Sequence, residues 1–315
     1  MADLHTEVLD LIKRQLESWP MAKGNFEALG RVESKRLDVD GWDVGVQFNP
    51  ARAVSSGAKV DAAAIKARPC FLCEANRPKE QEALMFENGG HRYEVLINPF
   101  PIFPHHLTIP SVVHEPQRIK GRVADMMSLA EQLQKHTIFY NGPRCGASAP
   151  DHMHFQAGDR ALFNIDSLIL SEDGKAIAHT DNAELLLYDK GPLRFFTIIC
   201  SPDNLDEAEQ LFSRLYAAMP VPEGEEEPMM NVLAYRVALG VVLVVIPRKR
   251  HRPSFYGTEG EGKMMLSPAS VDMGGLFITP READFRDLDA DTVRQVFDEL
   301  TLSTSEIDKI AQNVK

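Results

Sequence analysis

Asn141 to Gly158 reads NGPRCGASAPDHMHFQAG. A loop bearing glycine and serine runs directly into His152-Met153-His154-Phe155-Gln156. As a β-strand, that run alternates between faces. His152, His154 and Gln156 then share one face, and Met153 and Phe155 point into a core. Three ligand-capable groups stand about 6.5–7 Å apart along that face. The loop can offer backbone N–H groups and a hydroxyl to an anion. The layout suits a histidine that works on a phosphate. An isolated HxH is also what a plain surface strand can carry, but the loop and the cysteines described next weigh against that reading.

Cys70 and Cys73 have the spacing of a zinc half-site. A cytosolic CxxC can also be a redox pair, but that motif opens a helix, whereas here Pro69 precedes it and a polar loop follows. Two further ligands are needed. His114 and His152 are the candidates, with His105 and His106 as alternatives to His114. Two plain buried cysteines are the competing reading. A closed site with four protein ligands would be structural, and it would brace His152 and the strand that follows.

The nucleophile needs no metal. A neutral imidazole is competent near pH 7, its reference pKa being about 6.5. Attack on phosphorus gives a covalent phosphoramidate and splits one transfer into two steps. The protein then has to position the groups in line and neutralise charge on the phosphate oxygens. Gly146, Ala147 and Ser148 can supply N–H groups and a hydroxyl. Gln156 can donate an amide N–H; it can orient or stabilise but cannot shuttle protons. The basic run Arg248-Lys249-Arg250-His251-Arg252 can supply positive charge, with Arg52 as a further candidate.

The chain around these residues has 315 residues, 44% hydrophobic and 25% charged, with a formal net charge of −12. That is an ordinary composition for one large or two medium domains. An acidic chain is a poor nucleic-acid binder, and any anionic substrate must meet a local positive cluster. There is no apolar run of membrane-spanning length. The first residues have helical periodicity and acidic side chains, unlike a signal peptide. Four cysteines in a chain this long make no disulfide framework, so a reducing cytoplasm is expected.

Leu4, Val8, Leu9, Ile12 and Leu16 predict an amphipathic helix over 3–18. Residues 31–48 read as a hairpin turning at Asp40-Gly41, and 50–66 as loop or short helix. Tyr93–Ile97 and His105–Ile109 read as strands. Ile119, Val123, Met126, Met127, Ala130, Leu133 and Ile138 predict a long helix over 117–138, followed by a strand over 152–157. Further on, Glu184–Tyr188 and Arg194–Cys200 are strand-like. A helix over 204–218 has Asp203 or Asn204 as its cap. Pro220–Pro228 reads as a solvated acidic linker. Asn231–Tyr235 and Gly240–Ile246 are strands, the second apolar on both faces and so central in a sheet. One or two helices over 289–312 end the chain.

Ile109–Pro116 and Ile246–Pro253 both read IPxxxHxP at the end of an apolar strand. Each lies downstream of an asparagine-bearing segment, Asn98 in one case and Asn231 in the other. The shared skeleton argues for a duplicated α+β unit. Only the first copy carries HxHxQ and CxxC, which predicts one active half (1–165) and one diverged half (166–315).

Together these residues resemble the transferase branch of the histidine-triad superfamily. That branch holds galactose-1-phosphate uridylyltransferase, diadenosine tetraphosphate phosphorylase and GDP-L-galactose phosphorylase. Its signature is a Gly/Ser loop followed by HxHxQ. The related hydrolases have a third histidine where this chain has Gln156. Asn98 to Pro110 resembles the family's N…P…HxLxxP segment, with His105 at its histidine and Asn98 among the substrate contacts. Met153 replaces the proline usual in the uridylyltransferases, which tilts the comparison towards the GDP-hexose phosphorylase side. The resemblance implies an α+β fold of two fused histidine-triad-like halves, mostly antiparallel sheet with packed helices. It implies His154 as the nucleophile that becomes nucleotidylated, with Ser148 and Gln156 on the phosphates. Structural zinc would sit on Cys70, Cys73, His114 and His152. Expected partners are a nucleotide or nucleotide sugar and a phosphate or sugar phosphate, and the resemblance is compatible with a homodimer. No carboxylate cluster points to magnesium, whose requirement the sequence leaves open, as it does the base and the acceptor.

Overall fold

A computed structural model describes residues 3–53, 65–257, 259–260 and 262–314. Most of the 50–66 segment, expected as loop or short helix, therefore lies outside the described residues. In what is described of it, Pro50–Arg52 forms one 3-10 turn.

The N-terminal periodicity produces α1 (Leu4–Ser18), capped by Asp3 and burying Leu4, Val8, Leu11 and Ile12. Pro20 then starts a second helix, α2 (Pro20–Leu29). The hairpin is β1 (Glu33–Val39) and β2 (Trp42–Phe48), closed by the pair Val39↔Trp42. Asp40 and Gly41 take φ of 53° and 86°, as a two-residue hairpin turn with two left-handed residues requires.

The larger sheet is antiparallel throughout. Its first five strands are β3 (Leu84–Asn88), β4 (His91–Ile97), β5 (Leu107–Pro110), β6 (His136–Asn141) and β7 (His154–Asp159). The next five are β8 (Lys175–His179), β9 (Ala183–Tyr188), β10 (Phe195–Cys200), β11 (Met230–Val237) and β12 (Gly240–Pro247). The spatial order is β3-β4-β5-β7-β6-β11-β12-β10-β9-β8. Read inward from each edge, both fives have one connectivity. In both, a helix follows the third strand: α3 (Val123–Gln132) in the first and α5 (Leu205–Ala218) in the second, with α4 (Ile165–Ser171) between the units. The copies join edge to edge where Asn141 pairs with Asn231 and Ile138 with Ala234. Duplication is therefore present in the topology, but the IPxxxHxP echo does not mark it. Ile109-Pro110 ends β5, whose counterpart is β10, whereas Ile246-Pro247 ends β12, the counterpart of β7.

A short helix, α6 (Ser270–Met273), leads into β13 (Leu276–Thr279), which pairs parallel with β2 to complete a sheet ordered β1-β2-β13. The chain ends in α7 (Glu282–Asp287), α8 (Ala290–Leu300) and α9 (Thr304–Asn313). One apolar cluster joins the large sheet to α1, α3, α5 and α9, and it includes Met153, Phe155 and Ala157. A second covers the other face and holds Phe103, Phe139, Trp42 and Phe297. Every residue of β12 is buried, as its two-sided apolarity predicts.

Four expectations need correction. The 117–138 helix is shorter: α3 stops at Gln132, and Ile138 belongs to β6. Residues 136–141 are buried at all six positions, so the β-branched and aromatic side chains of Thr137, Ile138, Phe139 and Tyr140 serve a strand covered on both faces. Strand β7 begins at His154, not 152; His152 lies in the turn before it, its N–H donating to Ala149 O at 3.1 Å. Asn204 stands at the N-cap of α5 without a side-chain capping bond. Asp203 lies in a 3-10 turn capped by Ser201. Finally, Pro220–Pro228 is solvated only in part: residues 220–224 and Glu226 are exposed, but the end of the segment is drawn inside. Glu227 is buried, accepting from Ile119 N at 2.8 Å and Tyr140 Oη at 2.5 Å. Glu225 pairs with Arg144 at 2.9 Å, and Glu226 pairs with Arg118.

Strands β6 and β7 pair from His136↔Asp159 to Phe139↔Gln156 and then part. The buried side chain of Gln117 fills the gap. Its Oε1 accepts from His154 N at 2.7 Å, and its Nε2 donates at 3.0 Å to both Asn141 O and His154 O. A primary amide is the one neutral side-chain group that satisfies a donor and two acceptors at such a fork. Gln117→Leu keeps the bulk and leaves three buried backbone groups unpaired, at about 1–3 kcal/mol each. We expect a loss of about 3 kcal/mol in equilibrium denaturant unfolding; a loss below about 0.5 kcal/mol would show that the fork is not held by this residue.

Candidate active site

Pro69 leads into a tight turn in which Cys73 N bonds Cys70 O at 3.3 Å, bringing both sulfurs to one side. His114 comes from the loop after β5 and His152 from the turn before β7. Among the described residues, Cys70, Cys73, His114 and His152 form the group whose ligand atoms all lie within 4.8 Å of one another. Cys70 Sγ is 3.2 Å from His152 Nδ1, and Cys73 Sγ is 3.2 Å from His114 Nδ1. His152 Nε2 lies 2.8 Å from Ser111 O. A carbonyl only accepts, so that nitrogen carries the proton and the Nδ1 lone pair faces the sulfurs. The donor set and its tautomer therefore fit a thiophilic cation.

His105 and His106, the alternative ligands, lie at the far end of β5 and β7 and do other work. His105 Nδ1 meets Asp159 Oδ1 at 2.5 Å, and its N–H donates to Asp159 Oδ2 at 3.1 Å; the bond to Asp159 raises its pKa. His106 is fully buried. Its Nδ1 accepts from Ile102 N at 3.3 Å, so its Nε2–H donates to Gln156 Oε1 at 3.0 Å. Burial and the charge of Arg52 push its pKa down to about 3. A neutral His106 thus holds the oxygen end of Gln156 and leaves the amide NH2 as the free-facing donor end.

His154 is 3% exposed. Its Nδ1 is 2.8 Å from the His152 carbonyl, which assigns the proton to Nδ1 and the lone pair to Nε2. Burial pushes its pKa down to about 4, so the ring is neutral at pH 7. Phe139 pairs across from Gln156, so His154 and Gln156 lie on the sheet face that looks towards Phe103 and the second half. His154 of the first half therefore faces the apolar cluster to which the second half also contributes.

The loop from Gly142 to Ser148 is seated on that second half. Gly146 has φ of 103°, and a Cβ there would meet Ala269 Cβ at 2.5 Å. Asn231 Nδ2 donates to Cys145 O at 2.9 Å, to Asn141 Oδ1 at 3.1 Å and to Ser270 Oγ at 3.1 Å. Asn231 Oδ1 in turn takes a bond from Arg248. Ala147 is buried and Ser148 half-buried. Arg68 holds the stretch from outside through Asp151 at 2.8 Å.

The basic run does not act as one patch. Arg248 is 3% exposed and donates to the carbonyls of Arg250 and His251 at 3.1 and 3.0 Å, so it is an internal anchor. Arg250 pairs with Glu299 at 3.2 Å. Arg252 donates to Ser267 Oγ at 2.9 Å and lies 4.0 Å over the Tyr256 ring. Arg52 donates to Phe100 O at 3.3 Å, within electrostatic reach of His106 and Asp272. Asn98 is committed to its own turn, accepting from Phe100 N at 2.9 Å and donating to Thr108 Oγ1 at 3.0 Å. Sequence reasoning missed Gln117, and saw His106 only as a metal alternative. Neither carries a periodic or motif signal; each is defined by what folds against it.

Residues 11–159 match a family model described as a domain of unknown function (DUF4922), and residues 225–315 match one described as GDPGP1-like, C-terminal domain. The chain is 27% identical over 190 residues to diadenosine 5',5'''-P1,P4-tetraphosphate phosphorylase 2 of Saccharomyces cerevisiae, covering 55% of this chain and 57% of that one. It is 24% identical over 170 residues to Protein APA1 of the same yeast, covering 50% and 47%. The chain thus spans about half the length of the curated relatives it matches. In fold it is similar to the crystal structure of yeast Ap4A phosphorylase Apa2, with a TM-score of 0.61, 21% identity, and 90% and 96% of the two chains covered. The same enzyme in complex with Ap4A gives a TM-score of 0.60 at 21% identity, covering 90% and 97%. The chain thus carries HxHxQ behind a Gly/Ser loop on a fold similar to that of this yeast phosphorylase, and its residues 225–315 match the GDPGP1-like, C-terminal domain.

Proposed function

We propose that this chain is a nucleotidyltransferase of the phosphorylase kind. His154 attacks the α-phosphorus of a nucleoside diphosphate sugar, and inorganic phosphate or a sugar 1-phosphate resolves the adduct. The carrying observation is the Nδ1 bond from His154 to the His152 carbonyl at 2.8 Å, which leaves Nε2 as the nucleophilic atom. As the N–P bond forms, the sugar 1-phosphate departs with the electron pair of the broken P–O bond. The ring becomes cationic, and the carbonyl dipole at Nδ1 favours that charge. Gln156, held by His106, offers N–H to a phosphate oxygen, while Ser148 and the N–H groups at Gly146 and Ala147 offer further donors. Arg52 adds positive charge beside the His106 end of the site.

The group Cys70, Cys73, His114 and His152 would hold zinc. A thiolate-rich, four-ligand set is the donor chemistry of a structural zinc site, and the ion would supply cross-linking of the 65–76 segment to β5 and β7. The second reading of the substrate is a dinucleoside polyphosphate. It is favoured by the printed name of the yeast relative, a diadenosine tetraphosphate phosphorylase.

Incubation with α-labelled nucleotides or nucleotide sugars should give an acid-labile, base-stable protein adduct that disappears in His154→Ala. An adduct that survives that substitution, or none with any nucleotide, sinks the mechanism. Metal analysis of protein purified without chelator should find about one zinc per chain. Cys73→Ser should lose the metal and slow adduct formation about 10–100-fold; well under one equivalent of zinc in the unaltered chain would remove the assignment. Substrate class follows from thermal stabilisation, which linkage sets at about 2.7 kcal/mol for ligand at a hundredfold excess over Kd. Nucleoside diphosphate sugars should stabilise more than diadenosine tetraphosphate, and the reverse order would select the second reading.

A further inference from the structure

One charged cluster stands at the junction of the halves, and the chemistry above leaves it without a task. Arg248 ties it together. Its guanidinium binds the carbonyls of Arg250 and His251 and, through Asn231, the carbonyl of Cys145. The turn 248–252 of the second half is thereby fixed against the loop residue next to Arg144. Its Nε is buried without a hydrogen-bond partner. His251 Nε2 is 3.5 Å from Ser267 Oγ, the same hydroxyl that accepts from Arg252 Nε at 2.9 Å. After burial, the charges that bear most on His251 are Arg252, Arg248 and Arg144, and they push its pKa down to about 4. Arg252 thus shares the Ser267 hydroxyl with the His251 ring, Arg248 holds the His251 carbonyl, and Arg144 lies within electrostatic reach of the same imidazole, in a chain of net charge −12. Arg250 faces away to Glu299, and Arg144 has the carboxylate of Glu225 at 2.9 Å.

Like charges held together by a buried scaffold repel one another, and an anion relieves that repulsion. Fork-shaped guanidinium donors suit a phosphoryl group. The cluster borders the Gly142–Ser148 loop, one chain segment upstream of His154. We infer that Arg144, His251 and Arg252, oriented by Ser267, seat the phosphate group that resolves the nucleotidyl-histidine. The seat recognises a phosphate dianion, whether free inorganic phosphate or the phosphoryl group of a sugar 1-phosphate. Glu225 exchanges its place on Arg144 for that dianion. One oxygen of the seated phosphate attacks the adduct phosphorus. A P–O bond forms, the P–N bond breaks, and its electron pair returns to His154 Nε2, leaving the ring neutral with its proton on Nδ1. The product is a nucleoside diphosphate or a nucleotide sugar. The inference rests on the proposed nucleotidyl transfer.

The test separates the seat from the nucleophile. Labelled adduct is formed on the full chain, isolated by gel filtration and chased with inorganic phosphate or with hexose 1-phosphate, so the rate of adduct formation does not enter. In Arg252→Gln and His251→Asn the half-saturating acceptor concentration should rise at least tenfold, with chase at saturation within about threefold of the unaltered chain. A rise for both acceptors shows a seat shared by both sources; a rise for one identifies the source. Half-saturation unchanged for both acceptors overturns the inference. Independently, titrating the unaltered chain with inorganic phosphate should shift the His251 ring resonance, identified by its loss in His251→Asn. No shift overturns the seat even where the variants fail to fold. If the unaltered chain forms no adduct, the transfer reading fails, and this titration still decides whether the seat exists.

Discussion

A buried imidazole acts as a nucleophile only when its one proton is held at a known nitrogen. Here that is done by the carbonyl of His152, 2.8 Å from Nδ1 of His154. The two histidines of HxH are therefore coupled through backbone and not through their rings. His152 is in turn fixed twice, by Ser111 O at Nε2 and by the cysteine sulfurs at Nδ1. Whatever steadies the Cys and His cluster steadies the carbonyl that sets the neighbour's tautomer. Burial keeps His154 neutral; in the proposed transfer that would favour attack and oppose the cationic ring of an adduct. The carbonyl dipole at Nδ1 and the negative charge of the transferred phosphoryl group would offset that penalty.

Duplication gives the site its second wall. The halves share a continuous sheet through β6 and β11, so loop 142–148 of the first unit rests on strand ends of the second. What crosses the junction is polar and buried: Asn141, Asn231, Ser270 and Arg248. Such a network is costly if one member is lost, since each remaining group keeps its desolvation penalty. It fixes the loop's position more narrowly than apolar packing would, because donors and acceptors must match one for one. The second unit carries no HxHxQ of its own and acts as the platform for the first.

Much of this was legible in the chain. HxHxQ, the CxxC and the Gly/Ser loop announce themselves by residue type and spacing, and the Asp40-Gly41 turn by its dihedral demands. Elsewhere local pattern and tertiary need diverged. Ile138 continues the helical period of Ile119 to Leu133 by coincidence, and only coverage on both faces makes it a strand residue. Glu227 reads as part of a solvated acidic run, yet Tyr140 and the N–H of Ile119 draw it inside. The skeleton shared by 109–116 and 246–253 is similar in letters but falls on strands that are not counterparts. Gln117 and His106 were illegible as site residues because each is defined by a partner remote in sequence, His154 at 37 residues for Gln117 and Gln156 at 50 for His106.

The basic run 248–252 shows how a single residue class divides into roles. Sequence presents five polar side chains as one source of positive charge. Burial separates them: Arg248 turns inward, Arg250 turns to Glu299, and His251 and Arg252 share Ser267. The inward arginine is the one that makes the others useful. A guanidinium cannot release its proton to escape burial, so its charge persists inside the protein and must be met by carbonyl and amide oxygens. Those oxygens belong to residues 231, 250, 251 and 268. Satisfying one buried charge therefore folds the turn and aims its neighbours. An acidic chain can in this way keep a locally cationic corner: the field that would attract an anion is produced by a residue that no anion needs to touch.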